Sequence, residues 1–183
     1  MTASSEIDAG ELRRRAARVR LVAFDVDGTL TDGRLYFDDA GVESKAYNVL
    51  DGLGLRLLED SGIAVALITA RESASVRARG KDLRLEHVFT HVRDKLECLA
   101  KLCAGLGIGL DEVAFMGDDL ADLKVFPAVG LAVAPANVHE WTRPHAHWIT
   151  RQRGGEGAAR ELCDLILEAG GHKAAVLARF SGA

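Results

Sequence analysis

Residues 21–29 read LVAFDVDGT, a run of four apolar residues followed by two aspartates and a glycine. Short apolar runs recur along the chain, separated by stretches with helical spacing, which is typical of a parallel sheet covered on both faces. The pattern predicts an α/β fold, a doubly wound parallel sheet. Its strands are predicted at Leu21–Phe24, Ala64–Ile68, His87–Thr90, Val113–Met116, Leu131–Val133 and His147–Ile149. Its helices are predicted at Gly54–Asp60, Ser73–Leu83, Lys95–Leu106, Leu120–Phe126 and Ala158–Glu168.

The size and composition of the chain indicate one globular domain. With 183 residues, 48% of them hydrophobic and 27% charged, we expect a single domain over residues 1–183 with a flexible tail over about 171–183. The longest apolar stretch, residues 63–68, is too short to cross a membrane, and the net charge of −4 disfavours a nucleic-acid surface. Residues 1–20 lack the apolar core of a secretion signal, and the three cysteines form no C-x-x-C pair. We therefore expect a cytoplasmic protein with no membrane partner.

One segment interrupts the alternation of strands and helices. Residues 31–50 read TDGRLYFDDAGVESKAYNVL, with turn signals at Asp32-Gly33 and Asp39-Ala40-Gly41. The strand-like stretches Leu35–Phe37 and Lys45–Val49 flank the second turn, so a β-hairpin over about residues 33–49 is predicted. It would project from the sheet just after the first strand.

Polar side chains follow the major strands of the predicted sheet. Asp25 and Asp27 end the first strand, and their i, i+2 spacing lets both address one ligand. Thr69 ends the second strand and Asp118 follows the third, so at least three carboxylates meet where parallel strands bind ligands. Turn-forming aspartates explain any one of these positions but not their convergence. Such a cluster needs a cation, which predicts a Mg²⁺ site.

The order of these residues resembles the haloacid dehalogenase superfamily. The chain contains Asp25-x-Asp27-Gly-Thr, then Thr69, then Lys95, and finally Gly-Asp-Asp-x-x-Asp at residues 117–122. This resemblance implies that Asp25 is the nucleophile that forms an aspartyl phosphate. It implies that Asp27 protonates the leaving oxygen and then deprotonates the attacking water, and that Thr69 and Lys95 hold phosphoryl oxygens.

The same resemblance implies a set of metal ligands. Mg²⁺ would be held by a carboxylate oxygen of Asp25, the backbone carbonyl of Asp27 and the carboxylate of Asp118. Asp119 and Asp122 would orient these ligands from behind.

Neither gap between the motifs has room for a folded cap domain. The hairpin region and the late stretch GGEGAARELCDLIL, residues 154–167, resemble the capless 3-deoxy-D-manno-octulosonate 8-phosphate (Kdo 8-phosphate) phosphatases, which are homotetramers. That resemblance implies a homotetramer in which hairpins pack together and neighbouring subunits close each active site. It also implies a small sugar-acid phosphate as the substrate.

Several positions bear on substrate recognition. Arg71 is a candidate for gripping a sugar carboxylate, since a guanidinium suits bidentate recognition, although an exposed helix-entry arginine explains it as well. Asn48, Asp27, Thr69 and Lys95 complete the candidate substrate-binding set. The turn at residues 154–157 is interpreted either as an ordinary loop before a helix or as a direct substrate contact.

The resemblance implies Mg²⁺-dependent hydrolysis of Kdo 8-phosphate in lipopolysaccharide sugar biosynthesis. A phosphatase for a nine-carbon, sialic-type sugar acid 9-phosphate would use the same catalytic set. A non-catalytic tetramerisation domain is a further alternative, disfavoured because the motif residues are present. A phosphoacceptor receiver domain would not need Asp27 or the motif at residues 117–122.

Overall fold

The computed structural model describes residues 7–181 and confirms the predicted α/β class. Its strands are β1 (Leu21–Phe24), β2 (Tyr36–Phe37), β3 (Glu43–Ser44), β4 (Ala64–Ile68), β5 (His87–Phe89), β6 (Val113–Met116), β7 (Leu131–Ala134) and β8 (Trp148–Ile149). Six of them form a parallel sheet in the order β5-β4-β1-β6-β7-β8. The strand order reverses around β1, which places the expected ligand crevice at the carboxyl ends of β4, β1 and β6.

Helices cover both faces of the sheet. They are α1 (Ala9–Ala16), α2 (Val49–Asp60), α3 (Ala74–Asp82), α4 (Lys95–Leu106), α5 (Ala158–Ala169) and α6 (Lys173–Ser181). Alternate residues of β1 enter two separate cores, because successive strand side chains point to opposite faces. Val22 and Phe24 pack with α1, α2, α3 and α5, whereas Leu21 and Ala23 pack with α4. The buried strands explain the continuously apolar runs in the sequence.

The buried carboxylate of Asp51 joins α2 to the start of α5. It accepts hydrogen bonds from the N–H groups of Gly157, at 3.3 Å, and Arg160, at 2.8 Å. A helix N-terminus favours a nearby negative charge. Asp51 thereby fixes the turn at residues 154–157, which leads from the sheet into α5.

The predicted helix Leu120–Phe126 is wrong. The segment forms two 3₁₀ turns, Leu120–Asp122 and Phe126–Ala128. Pro127 disfavours α-helical backbone at the residue before it, and Asp122 turns back to accept the N–H groups of Asp118 and Asp119. The apolar residues therefore lie on short 3₁₀ turns rather than on an α-helix, and the first of these turns holds the loop that carries Asp118.

The hairpin forms with shorter strands than expected. Tyr36 pairs with Ser44 and Phe37 with Glu43 in antiparallel register. The second strand of the hairpin ends at Ser44 rather than continuing to Val49. Val49 is instead the first residue of α2. Large apolar side chains on the hairpin are exposed in the single chain, namely Leu35, Tyr36, Phe37 and Val42.

The region predicted as a flexible tail contains α6. Val176 packs against the core, and Arg179 forms a 2.7 Å ion pair with Asp60. Residues 1–6 and 182–183 of the predicted single domain lie outside the described residues, and the mobility of the tail stays a prediction. Over residues 7–181, no helix combines the length and apolar character needed to cross a membrane.

Candidate active site

The site lies on the loops that leave the carboxyl ends of β1, β4 and β6. Asp25 follows β1 directly, and its N–H donates to the carbonyl of Met116 at the end of β6. Asp118 stands two residues beyond β6, and Thr69 follows β4. The parallel pairing of β1 with both neighbours explains why residues far apart in sequence meet at this edge.

A cluster of three carboxylates forms the centre of the site. Oxygen atoms of Asp25, Asp118 and Asp122 all lie within 4.8 Å of one another. Burial and the charge of Asp122 raise the pKa of Asp25 to about 6. Burial and the charge of Asp25 raise the pKa of Asp118 to about 8. Buried carboxylates that repel one another favour a shared cation, and their hard oxygen atoms suit Mg²⁺.

Lys95 lies against this cluster at the start of α4. Its side chain is 4% exposed, and its Nζ lies 2.8 Å from Asp25 Oδ1 and 2.7 Å from Asp122 Oδ1. Burial lowers the pKa of Lys95, but the two carboxylates outweigh it and hold that pKa above its ordinary value. Lys95 therefore carries a positive charge beside the candidate nucleophile.

The two aspartates that follow Asp118 in the motif occupy different environments. Asp122 is fully buried, and its Oδ2 accepts the N–H groups of Asp118 at 3.0 Å and Asp119 at 3.3 Å. Asp119 is exposed, and its carboxylate accepts the N–H of Leu120 at 2.7 Å. Asp122 thus belongs to the carboxylate cluster itself, whereas Asp119 caps the turn that follows.

Asp27 is held by residues of the hairpin. Lys45, whose side chain is 1% exposed, pairs with Asp27 Oδ1 and lies 3.0 Å from Glu43 Oε1. Arg71 pairs with Glu43 and lies 3.9 Å from Asp27 Oδ2. Asp27 Oδ2 is buried and has no hydrogen-bond partner within residues 7–181. One oxygen of this carboxylate is therefore held by Lys45, while the other lies beside Arg71 and accepts no hydrogen bond within the described residues.

The sequence interpretation gave no role to Glu43 and Lys45. Their i, i+2 spacing places both on one face of the hairpin, which is a signal that the sequence carries. Against the effect of burial, Arg71 and Lys45 hold the pKa of Glu43 below its usual value. Asp27 and Glu43 outweigh burial in the same way and raise the pKa of Lys45. The four side chains form an alternating network of charges at the mouth of the site.

Thr69 and Asn48 are both engaged by the backbone. Thr69 is 1% exposed, and its Oγ1 accepts the N–H of Arg71 at 3.2 Å. Asn48 caps α2 by accepting the N–H of Leu50 at 2.8 Å, and its Nδ2 donates to the carbonyl of Gly155 at 3.2 Å. These contacts position the loops on which both residues lie.

Comparisons with known proteins identify the family. Residues 78–162 match the model for haloacid dehalogenase-like hydrolases. The chain is 45% identical over 159 residues to the 3-deoxy-D-manno-octulosonate 8-phosphate phosphatase KdsC of Yersinia pestis. The aligned region covers 87% of this chain and 85% of that protein. A hypothetical protein from Xanthomonas campestris has a structure that matches with a TM-score of 0.93 and 58% identity, covering 99% of this chain and 100% of that one.

A further solved structure bears directly on the site. The Kdo 8-phosphate phosphatase of Moraxella catarrhalis, in complex with magnesium, phosphate and Kdo, matches with a TM-score of 0.92 and 43% identity, covering 94% of this chain and 99% of that one. The fold and the strand-end motifs define a haloacid dehalogenase-like hydrolase. Within that class, this chain belongs to the family of the 3-deoxy-D-manno-octulosonate 8-phosphate phosphatases. The resemblance noted from the sequence is confirmed.

Proposed function

We propose that this protein is a phosphatase that hydrolyses Kdo 8-phosphate to Kdo and inorganic phosphate during lipopolysaccharide sugar biosynthesis. The observation that carries the proposal is the match, over nearly the whole of both chains, to the Moraxella enzyme in complex with magnesium, phosphate and Kdo. The carboxylate cluster of Asp25, Asp118 and Asp122 supports Mg²⁺ as the cofactor.

The proposed reaction has two steps that use Asp25 and Asp27. A carboxylate oxygen of Asp25 attacks phosphorus, and the bond from phosphorus to the sugar oxygen breaks while Asp27 gives that oxygen a proton. Asp27 then removes a proton from water, which attacks the aspartyl phosphate and regenerates the Asp25 carboxylate. The environment of Asp27 supports this role, because Lys45 binds one carboxylate oxygen and the other, Oδ2, accepts no hydrogen bond within residues 7–181.

The metal ligands in this proposal are the carboxylates of Asp25 and Asp118 and the backbone carbonyl of Asp27. Mg²⁺ bound there would offset the negative charge of the phosphoryl group. Asp122 orients the site through Lys95 and the Asp118 backbone, and Asp119 supports the same loop by capping its turn.

Substrate binding is assigned to residues around this centre. Lys95 and Thr69 would hold phosphoryl oxygens, and Arg71 would bind the sugar carboxylate. The Arg71 side chain is 44% exposed, and its pair with Glu43 holds the guanidinium beside Asp27, where the sugar acid would enter. Asn48 would contribute from the edge of the same region, at the start of α2.

We also propose that the enzyme is a cytoplasmic homotetramer in which neighbouring subunits close each active site. The support is the row of exposed apolar side chains on the hairpin, with Leu35 at 46%, Phe37 at 58% and Val42 at 61% exposure. Apolar surface of this kind is typical of an interface between copies.

Phosphate release tests the function directly. The purified protein is assayed with Kdo 8-phosphate, a nine-carbon sugar acid 9-phosphate and p-nitrophenyl phosphate, each with Mg²⁺ and with EDTA. We expect a strong preference for the eight-carbon substrate and loss of turnover with EDTA. Preference for the nine-carbon compound would overturn the Kdo 8-phosphate assignment in favour of a nine-carbon sugar acid phosphate. Equally slow turnover of all three compounds would overturn it without naming another substrate.

A further inference from the structure

Asn137 lies outside the sequence motifs but contacts two loops beside the carboxylate cluster. It stands three residues beyond the end of β7, and its Nδ2 donates to the carbonyl of Gly28 at 2.9 Å. Its Oδ1 accepts the N–H of Gly154 at 2.6 Å. One side-chain amide thus joins the loop that carries Asp27 to the glycine turn before α5.

The Gly28 segment has little freedom to move without disturbing the carboxylate cluster. Gly28 has a φ of 87°, and a Cβ added to it would lie 2.1 Å from Asp118 Oδ2. The next residue, Thr29, donates from Oγ1 to Asp118 Oδ1 at 3.2 Å. The position of this short segment therefore sets the orientation of the Asp118 carboxylate on one side and the backbone of Asp27 on the other.

The glycine turn presses on the same segment from the opposite side. A Cβ on Gly154 would lie 1.9 Å from the carbonyl oxygen of Gly28, so only glycine permits this approach. The N–H of Gly155 donates to the carbonyl of Thr29 at 3.1 Å. The Gly28–Thr29 segment is thus enclosed between the Asp118 carboxylate and the turn.

The loop that carries Asn137 is itself tied to both neighbours through its backbone. The N–H of Ala136 donates to the carbonyl of Gln152 at 3.0 Å, and the N–H of His139 donates to the carbonyl of Asp118 at 2.9 Å. Asn137 lies between these two attachments. It is therefore anchored at the point where the Asp118 loop, the Asp27 loop and the glycine turn meet.

We propose that Asn137 is a positioning residue for phosphoryl transfer. Its amide holds the Gly28 peptide against the Asp118 carboxylate, and so fixes both the loop that carries Asp27 and the loop that carries Asp118. This inference rests on the proposed phosphatase function. It also assigns Gly154 and Gly155 to holding the catalytic loop, which decides between the two interpretations of that turn in favour of a structural contact.

Two substitutions separate the donor and acceptor halves of the amide. Asn137→Asp keeps an oxygen to accept from Gly154 but replaces the donor with a carboxylate oxygen that repels the Gly28 carbonyl. Asn137→Ala removes both bonds. The matched control is Thr150→Val, since Thr150 is buried and its Oγ1 donates to the carbonyl of Gln152 at 2.8 Å, two residues before Gly154, and not to Gly28.

Three readouts are compared at a temperature where circular dichroism shows all variants folded. These are kcat and KM for Kdo 8-phosphate, the Mg²⁺ concentration that gives half-maximal rate, and the rise in Tm on adding Mg²⁺ without substrate. We expect both Asn137 variants to lose about 10- to 100-fold in kcat, with a smaller change in KM, because groups that orient metal ligands typically contribute on that scale. The Mg²⁺ half-saturation should rise and the Tm shift should shrink, while Thr150→Val matches the wild type in all three.

The order of the two Asn137 variants distinguishes positioning from packing. Positioning requires Asn137→Asp to be at least as impaired as Asn137→Ala, although it preserves more volume and one hydrogen bond. An Asn137→Asp protein with wild-type kcat and Mg²⁺ response would overturn the proposal, and so would equal losses in Thr150→Val. If the wild type fails on Kdo 8-phosphate but only the Asn137 variants lose the Mg²⁺-induced Tm shift, the substrate assignment fails and the positioning role stands.

Discussion

Two regions at the carboxyl edge of the sheet differ in how many of their side chains are buried and paired within a single chain. Around the carboxylate cluster, Lys95 pairs with Asp25 and Asp122 at 2.8 and 2.7 Å, and the side chains are buried. On the hairpin, large apolar side chains remain exposed even though Lys45 is buried against Asp27. The side chains of the first region are paired within one chain, and the second leaves apolar surface that the proposed tetramer would cover.

This difference separates two requirements of the proposed enzyme. The groups that act on the phosphoryl group come from the sheet edge of one chain. The groups that would recognise the sugar acid lie on or beside the hairpin, where the chain leaves apolar surface uncovered. We therefore expect changes in the first region to affect every phosphate ester and changes in the second to affect the sugar substrate most.

The largest effect is expected from Asp25→Asn, which removes the proposed nucleophile while preserving its shape. We expect turnover of both Kdo 8-phosphate and p-nitrophenyl phosphate to fall by roughly 10⁴-fold or more, because loss of a nucleophile abolishes the covalent route. Oligomeric mass by light scattering should not change. The control is Asp39→Asn in the exposed hairpin turn, and comparable turnover in the two variants would rule out Asp25 as the nucleophile.

The next effect is expected from Lys45→Met, which removes the cation between Asp27 and Glu43. Two neighbouring carboxylates would then repel each other, and Asp27 would lose its fixed orientation. We expect kcat to fall about 10²-fold, the lower end of what general acid–base catalysis supplies. Lys101→Met is the control, because that lysine is 76% exposed and pairs with Glu97 on its own helix, away from Asp27. Loss of activity in both variants alike would remove the assigned role of Lys45.

A smaller and more selective effect is expected from Arg71→Lys. The change preserves the charge but loses bidentate recognition of a carboxylate. We expect KM for Kdo 8-phosphate to rise about tenfold, a loss of about 1.4 kcal/mol in binding, while p-nitrophenyl phosphate is hydrolysed as before. Equal changes with both substrates would place Arg71 outside sugar recognition, and Arg77→Lys in the exposed pair with Glu72 serves as the control.

The sequence allowed the same two regions to be predicted to different extents. Asp25 and Asp118 follow buried apolar strands, and parallel strands bring such positions to one edge whatever the loops do. Glu43 and Lys45 could not be placed in the same way, because their partners Asp27 and Arg71 are far from them in sequence and the hairpin must first fold back over the sheet. Local spacing alone does not report that contact.

Two other features depended on tertiary contacts that no local pattern specifies. The apolar spacing after Leu120 suits a helix, but Asp122 folds back to hold the Asp118 backbone and Pro127 interrupts the α conformation. Asn137 lies in a loop between strands, where a single asparagine carries no signal. Its role emerges only when Gly28 and Gly154 are seen on either side of it.

The smallest expected effect on chemistry comes from Phe37→Asp, which places a charge on the exposed apolar face of the hairpin. Phe37 is 58% exposed in the single chain, so the substitution should leave the fold intact while weakening contacts between copies. Light scattering should show a fourfold assembly for the wild type and smaller species for Phe37→Asp. Phe180→Asp is the control, since Phe180 is 63% exposed on α6 and lies outside the hairpin.

The ratio of two activities in Phe37→Asp tests most directly whether the chemistry belongs to one chain and sugar recognition to the assembly. The measurement is kcat/KM per chain for Kdo 8-phosphate and for p-nitrophenyl phosphate, at concentrations where light scattering shows the assembly disrupted. We predict that the value for Kdo 8-phosphate falls severalfold while that for p-nitrophenyl phosphate is retained. Loss of both activities together, or retention of both in the dissociated protein, would contradict the account.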